Sequence, residues 1–136
     1  IKNYEELINV ARSEKAKIAR KIALECIMSA LNAINPKKII HEKIKVINDH
    51  MIINGVEIDL SEIKNIYVIG AGKASGRMAE ALEEILKTKI SDGIIIVLKG
   101  TEHIYKTKRI RIIGASHPVP DINGLEGTKK ISPFKR

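Results

Sequence analysis

Residues 66–78 read IYVIGAGKASGRM, and this stretch decides the fold class. Its first four residues are apolar on both alternating faces, which is typical of a strand buried in a parallel sheet. Gly70 and Gly72 then permit a tight turn, and Met78 belongs to the apolar stripe of a helix that we place at about residues 75–87. The stretch therefore predicts a strand, a glycine turn and a helix in succession.

The sequence on the carboxyl side of this stretch supplies two more strands. Residues 93–98 (GIIIVL) and 109–114 (RIRIIG) are short apolar runs of the kind found in buried strands. Strand, helix and parallel strand connect by a right-handed crossover. We therefore expect an α/β fold, a Rossmann-like three-layer arrangement with a parallel sheet and helices on both faces.

The sequence on the amino side predicts helices and then short strands. Apolar residues recur at i+4 and i+7 spacing over residues 4–34, which indicates one long N-terminal helix or two abutting helices, ended by Asn35-Pro36. Residues 43–59 alternate with a period of two around two turn dipeptides, which predicts a small β-hairpin or meander. We expect a single α/β domain over residues 1–136, with the long helix covering one face of the sheet.

Composition limits the class of protein. The chain has 136 residues and 44% hydrophobic residues, enough for a packed core, so intrinsic disorder is excluded. No apolar run approaches the ~20 residues that span a bilayer, and one cysteine excludes an internal disulfide framework. We expect a cytoplasmic protein. Abundant Lys, Glu and Ile are compatible with a thermophile and equally with an AT-rich genome.

The charge balance points to an anionic partner without naming it. The net charge is +8, which favours nucleic acid, a membrane surface or a phosphorylated small molecule. The basic residues are scattered, and only 3% of the chain is aromatic, which leaves few platforms for stacked bases. Nucleic-acid binding therefore rests on charge alone, and we expect a small-molecule ligand, no nucleic acid and no membrane.

The glycine turn is a candidate anion site. Glycines after a buried strand leave backbone amides accessible, and the following helix N-terminus adds partial positive charge. Lys73 stands in this turn at the carboxyl end of a strand, where open α/β sheets place their ligands. The alternative is that the glycines serve only close packing between helix and strand.

The turn departs from both common nucleotide-binding fingerprints. A P-loop would need glycine at Tyr67 and Ser or Thr at Ala74. A dinucleotide fingerprint would need its third glycine at Ser75, although Gly76 lies next to it. Residues 97–99 carry no acid for a ribose hydroxyl, so NAD binding is disfavoured.

A second loop follows the third strand and carries His117 between Ser116 and Pro118. Its position predicts that His117 lies at the same sheet edge as Lys73. Asp121 is a candidate cap for a helix over residues 124–131, which Pro133 would disfavour continuing. The alternative for His117 is packing or a bond to backbone.

No metal site is expected. The other histidines show no metal-ligand spacing with one another or with Cys26, which we interpret as a small core residue.

Three segments together resemble the amino-terminal domain of the class II glycerate 2-kinases, the family with a MOFRL domain at its other end. They are residues 33–38 (AINPKK), 66–78, and 117–125 (HPVPDINGL). The similarity extends from about residue 11 to residue 131. Ser116 stands where the family pattern would have glycine.

The resemblance implies phosphorylation of D-glycerate to 2-phosphoglycerate with ATP and Mg²⁺. Such proteins sometimes carry the name hydroxypyruvate reductase. The resemblance makes Lys73 the catalytic residue, in contact with substrate or transferred phosphate. It also implies that substrate or phosphate is bound by Gly70, Gly72, Ala74, Ser75, His117 and Asp121.

Members of that family continue beyond the equivalent of residue 131 into a second glycine-rich turn and a carboxy-terminal domain that completes the cleft. The chain resembles half an enzyme, apparently truncated there, and we expect it to be inactive alone. A longer native protein, a separately supplied second domain and a homo-oligomer stay open. The alternative function is a non-catalytic truncated homologue that acts as an anion-binding or interaction module.

Overall fold

A computed structural model describes residues 1–132 of the chain. The chain divides into two compact units, Ile1–Asn35 and Pro36–Arg136. The expectation of a single domain, with the long helix over the sheet, stays a prediction. The expected effect of Pro133 lies outside the described residues.

The first unit consists of two helices, α1 (Tyr4–Asn9) and α2 (Glu14–Ala33), so of the two alternatives left open by the sequence the structure has two helices. Ser13 caps α2, since its hydroxyl accepts a hydrogen bond from the amide of Ala16. The Arg20 guanidinium donates to the carbonyl of Leu7 at 2.8 Å, which ties the two helices together.

The second unit begins with a helix that the sequence analysis missed, α3 (Pro36–Lys43). Asn35-Pro36 ends α2 as predicted, but the same proline starts the next helix. Proline suits the first helical position, because its φ angle fits a helix and its missing N–H would be unpaired there anyway.

The predicted meander is confirmed, with three antiparallel strands in sequential order. They are β1 (Ile44–Ile47), β2 (His50–Ile53) and β3 (Val56–Asp59). The two connecting turns contain left-handed residues, Asn48 in the first and Asn54-Gly55 in the second. Asparagine and glycine tolerate positive φ better than other residues, which explains the two turn dipeptides.

The main sheet is parallel, as predicted, and its strand order is β4-β5-β6. Its strands are β4 (Ile66–Ala71), β5 (Ile90–Leu98) and β6 (Ile110–Ala115). The central strand β5 is apolar on both faces, and the adjacent side chains of Ile94 and Ile95 are both fully buried. Since adjacent side chains point to opposite faces, both faces of β5 are covered.

Helices α4 (Ser75–Leu86) and α5 (Ile122–Ile131) cover opposite faces of this sheet. Ile95 joins a core cluster with Ala79 of α4. Ile96 points to the other face, where Gly127 of α5 lies against it. The predicted three-layer arrangement is therefore confirmed.

The carboxylates on α4 hold the chain segment that leads into β6. Glu80 accepts hydrogen bonds from the amide of Lys106 and from the guanidinium of Arg77, both at 2.8 Å. Glu83 accepts from the amides of Lys108 and Arg109. Glu84, further along the helix, accepts from the side chains of two residues in α3, Lys37 and His41.

None of the helices formed by residues 1–132 combines the length and apolar character needed to cross a membrane. The cytoplasmic location stays a prediction.

Candidate functional site

A pocket of about 440 Å³ opens at the carboxyl end of the main sheet. The turn after β4 forms one side, the end of β5 forms the floor, and the loop after β6 forms the other side. Its lining residues are Gly72, Lys73, Ile96, Val97, Leu98, Ala115, Ser116 and His117. The two motifs that the sequence analysis singled out therefore meet in one pocket.

The glycine turn is fixed to the neighbouring strand by its own backbone. Gly72 has a φ of +111°, a conformation that residues with a Cβ rarely adopt. Its amide donates to the carbonyl of Ile96 at 3.0 Å. The hydroxyl of Ser75, which is buried, lies 2.6 Å from the carbonyl oxygen of Gly72 and 3.1 Å from that of Ile96. These contacts hold the turn against β5 and commit the Ser75 hydroxyl to the fold.

Lys73 is exposed at the rim of this turn and lines the pocket. Its ammonium group makes no hydrogen bond or ion pair with any residue between 1 and 132. The glycines and the alanine that were predicted to surround Lys73 do not all line the same cavity. Gly72 lines the pocket, whereas Gly70 and Ala74 line a smaller cavity beside α4.

Gly76 has a packing role. A Cβ placed on it would lie 2.4 Å from the ring of Tyr105. The guanidinium of Arg77, the next residue, lies 5.6 Å from the centre of the same ring. The glycine that follows the expected dinucleotide position thus admits an aromatic side chain, in agreement with the packing alternative for this one residue.

His117 lines the pocket from the side opposite to Lys73 and is exposed. It makes no hydrogen bond within the described part of the chain, so the alternative of a bond to backbone is not found. The ring nitrogens of His117, like the ammonium group of Lys73, are accessible to a ligand.

Asp121 caps α5, as predicted, and also holds the loop before it. Its carboxylate accepts hydrogen bonds from the amide of Gly124 at 3.1 Å, the hydroxyl of Ser116 at 2.9 Å and the side-chain amide of Asn123 at 3.1 Å. Desolvation raises the pKa of Asp121, but these donors outweigh it and hold the pKa below its usual value.

The sequence analysis missed Ser116 and the apolar lining residues Ile96 and Leu98 as part of the site. Their positions at the carboxyl ends of β5 and β6 were the available signal. Cys26 was wrongly interpreted as a core residue, because α2 contains no buried residue and this cysteine is exposed.

The arrangement suits an anion better than a metal ion. The described residues contain no group of three or more His, Cys, Asp or Glu placed to hold a metal. Lys73 offers a positive charge to the pocket, which suits phosphate or carboxylate.

Comparison with known proteins gives the family. Residues 22–135 match the domain family described as a domain of unknown function, DUF4147. A glycerate 2-kinase of Pyrococcus horikoshii is 34% identical over 82% of this chain and 24% of its own length. A protein of Agrobacterium vitis named putative hydroxypyruvate reductase is 45% identical over 47% of this chain and 16% of its own length.

A solved structure agrees with both the fold and the family. The crystal structure of a Pyrococcus horikoshii protein is 34% identical and superimposes with a TM-score of 0.72, covering 87% of this chain and 26% of that chain. The chain thus spans about a quarter of the length of the relatives it matches along most of its sequence. The chain belongs to the DUF4147 family, the domain found in the amino-terminal region of the glycerate 2-kinases.

Proposed function

We propose that this chain supplies the substrate-binding part of a glycerate 2-kinase, which phosphorylates D-glycerate to 2-phosphoglycerate with ATP as the donor. The observation that carries the proposal is the meeting of Lys73 and His117 in one pocket, from two motifs far apart in sequence. Family membership and the names of the relatives support the same reaction.

Lys73 is proposed as the catalytic residue. D-glycerate carries a carboxylate, and its phosphorylation builds charge on the oxygens of the transferred phosphoryl group. A fixed cation stabilises that charge, and positioning with electrostatics accounts for most of the catalysis of phosphoryl transfer. Because no residue in the described part of the chain pairs with the Lys73 ammonium group, its charge is available to a ligand.

His117 is proposed to bind the substrate from the opposite side. A pocket of about 440 Å³ falls in the range that small-molecule ligands occupy. The side chains of Ile96 and Leu98 give the pocket an apolar part that suits the carbon skeleton of a small hydroxy acid.

ATP and Mg²⁺ are proposed as cofactors from the family relationship. The accessible cation at Lys73 fits a phosphate. Residues 1–132 provide no cluster of metal ligands, so Mg²⁺ is assigned no protein ligand in this part of the chain and no step is derived through it.

The remainder of the enzyme is proposed to come from outside this chain, as a carboxy-terminal domain or a further subunit. A binding site that lies between two domains is complete only when both domains contribute residues to it. Since the chain spans about a quarter of its relatives, we expect it to bind ligand without turnover.

The proposal is tested by titrating the chain with D-glycerate while recording backbone NMR shifts. We expect the backbone chemical shifts of the residues around the pocket to change, and the Lys73→Ala variant to bind D-glycerate at least ten-fold more weakly. Lys130→Ala is the matched control, because Lys130 is an exposed lysine of α5 outside the pocket. Equal binding by both variants would contradict the role of Lys73.

A non-catalytic anion-binding module is the second candidate, favoured by the Lys73 ammonium group, which has no partner among residues 1–132 and suits a bound anion whether or not that anion reacts. The two functions differ in turnover. ATP- and D-glycerate-dependent formation of 2-phosphoglycerate, measured on a polypeptide that joins this chain to the rest of the family's length, supports the kinase. Ligand binding without any turnover there supports the module.

A further inference from the structure

The loop after β6 is held at its base. The hydroxyl of Ser116 donates to Oδ2 of Asp121 at 2.9 Å, which closes a ring across residues 116–121. Between these two residues the chain contains two prolines, and no described hydrogen bond involves residues 117–120. The placement of His117 therefore depends on the bond at the base of the loop and on the rigidity of the prolines.

The Asp121 carboxylate is already committed to the protein. Oδ1 accepts from the Gly124 amide, and Oδ2 accepts from both Ser116 and Asn123. A carboxylate without hydrogen-bond donors would repel an anionic ligand in the neighbouring pocket. The Asp121 carboxylate has three donors, so its charge is balanced by the loop and by the first turn of α5.

Ser116 and Asn123 donate to the same oxygen but differ in position. Ser116 lies next to His117 and lines the pocket, whereas Asn123 lies in the first turn of α5 and does not. The two bonds are similar in length, 2.9 and 3.1 Å. Comparing variants of Ser116 and Asn123 therefore distinguishes a role of the Asp121 carboxylate in the site from a role in the stability of α5.

We propose that Asp121 and Ser116 form a clamp that positions His117 at the pocket, so that Asp121 acts as a positioning residue and not as a ligand for substrate. This inference rests on the proposed function. It assigns a place in the site to Ser116, which the sequence analysis did not include among the site residues.

The clamp is tested with three variants. Ser116→Ala removes the hydrogen bond from the hydroxyl to Asp121, Ser116→Thr keeps the hydroxyl, and Asn123→Ala removes the other side-chain donor to the same oxygen. We expect Ser116→Ala to weaken D-glycerate binding three- to ten-fold, and the other two variants to bind within two-fold of the wild type.

A second measurement reports the loop without any ligand. The ¹⁵N heteronuclear NOE of the His117 and Val119 amides should fall in Ser116→Ala and stay at the wild-type value in Ser116→Thr and Asn123→Ala. A purely structural role in α5 would instead make Asn123→Ala the more damaging change in both measurements.

The outcomes separate the two proposals. An unchanged NOE in Ser116→Ala overturns the clamp. A lowered NOE with unaltered binding of D-glycerate overturns the positioning role and leaves the proposed function in place. If the wild-type chain shows no shifts with D-glycerate, the proposed function fails and the positioning role fails with it.

Discussion

The charged groups of α4 and those of the pocket are used in opposite ways. On α4, Glu80, Glu83 and Glu84 each accept at least two hydrogen bonds from within the second unit. At the carboxyl end of the sheet, Lys73 and His117 have no hydrogen-bond or ion-pair partner among residues 1–132. The first set holds the fold, and the second set is available to a ligand.

This difference matters because grooves of similar volume lie at both places. A groove of about 460 Å³ is lined by the three glutamates, by Lys87 directly after α4, and by basic residues of the segment before β6. Its carboxylates are occupied by donors from the protein itself. In the pocket at Lys73, the ammonium group and the His117 ring have no partner among the residues that the structure describes, which is the better indication of a binding site.

The largest effect is expected from removing the ammonium group of Lys73. In a polypeptide that joins this chain to the rest of its relatives' length, Lys73→Ala should lower the rate of D-glycerate phosphorylation at least about 100-fold, as expected for loss of a group that stabilises developing charge. A coupled assay for 2-phosphoglycerate measures this. Lys130→Ala should retain the wild-type rate, and normal turnover in Lys73→Ala would remove Lys73 from the mechanism.

The second largest effect is expected on the stability of the fold when the charge of the Glu80 carboxylate is removed. Glu80→Gln should lower the free energy of unfolding by about 2 kcal/mol, because two hydrogen bonds to a buried charge are weakened. Urea unfolding measures the change.

Glu126→Gln is the matched control for Glu80→Gln. It breaks only an exposed ion pair with Lys129, so we expect a loss of less than about 0.5 kcal/mol. Equal losses in the two variants would contradict the special role of the buried carboxylate.

Acid should act on the same carboxylate. Burial raises the pKa of Glu80, but the hydrogen bonds from the Lys106 amide and Arg77 outweigh it and leave the pKa below its ordinary value of 4.5. A carboxyl group with a lowered pKa in the folded state stabilises the fold above its unfolded pKa, and this contribution is lost as the pH falls through the folded value.

The difference in unfolding free energy between the wild type and Glu80→Gln should therefore be constant at neutral pH and shrink below about pH 4.5. Urea unfolding at a series of pH values measures it. A difference that grows in acid would contradict the assignment.

The smallest effect is expected on the stability of the protein when the side chain of His117 is removed. His117→Ala should change the free energy of unfolding by less than about 0.5 kcal/mol, because the side chain is exposed and makes no described hydrogen bond. The same variant should bind D-glycerate more weakly than the wild type. Thermal or urea unfolding beside the NMR titration compares the two, and a large loss of stability would place His117 with the residues that hold the fold.

The sequence predicted what depends on local pattern. The parallel strands, α4, the meander and the Asp121 cap follow from apolar periodicity and turn residues, which act over a few positions. The joint placement of Lys73 and His117 also followed, because both come directly after strands of one parallel sheet.

What it did not predict depends on contacts between distant segments. Glu80 and Glu83 look like ordinary charges on a helix surface, and their importance comes from amides in the segment before β6. The contact of the Ser75 hydroxyl with a carbonyl of β5 was likewise not predicted, and the binding of substrate or phosphate by Ser75 stays a prediction. Helix α3 was missed because Pro36 ends one helix and begins another.

The contact between Gly76 and Tyr105 has a consequence for how this domain varies between species. An added methyl group at position 76 has no room while the ring of Tyr105 lies 2.4 Å from where its carbon would be. The two positions should therefore covary, with a larger residue at 76 appearing only beside a smaller one at 105. In this chain, the glycine at position 76 is explained by the space that the ring of Tyr105 occupies rather than by contact with a nucleotide.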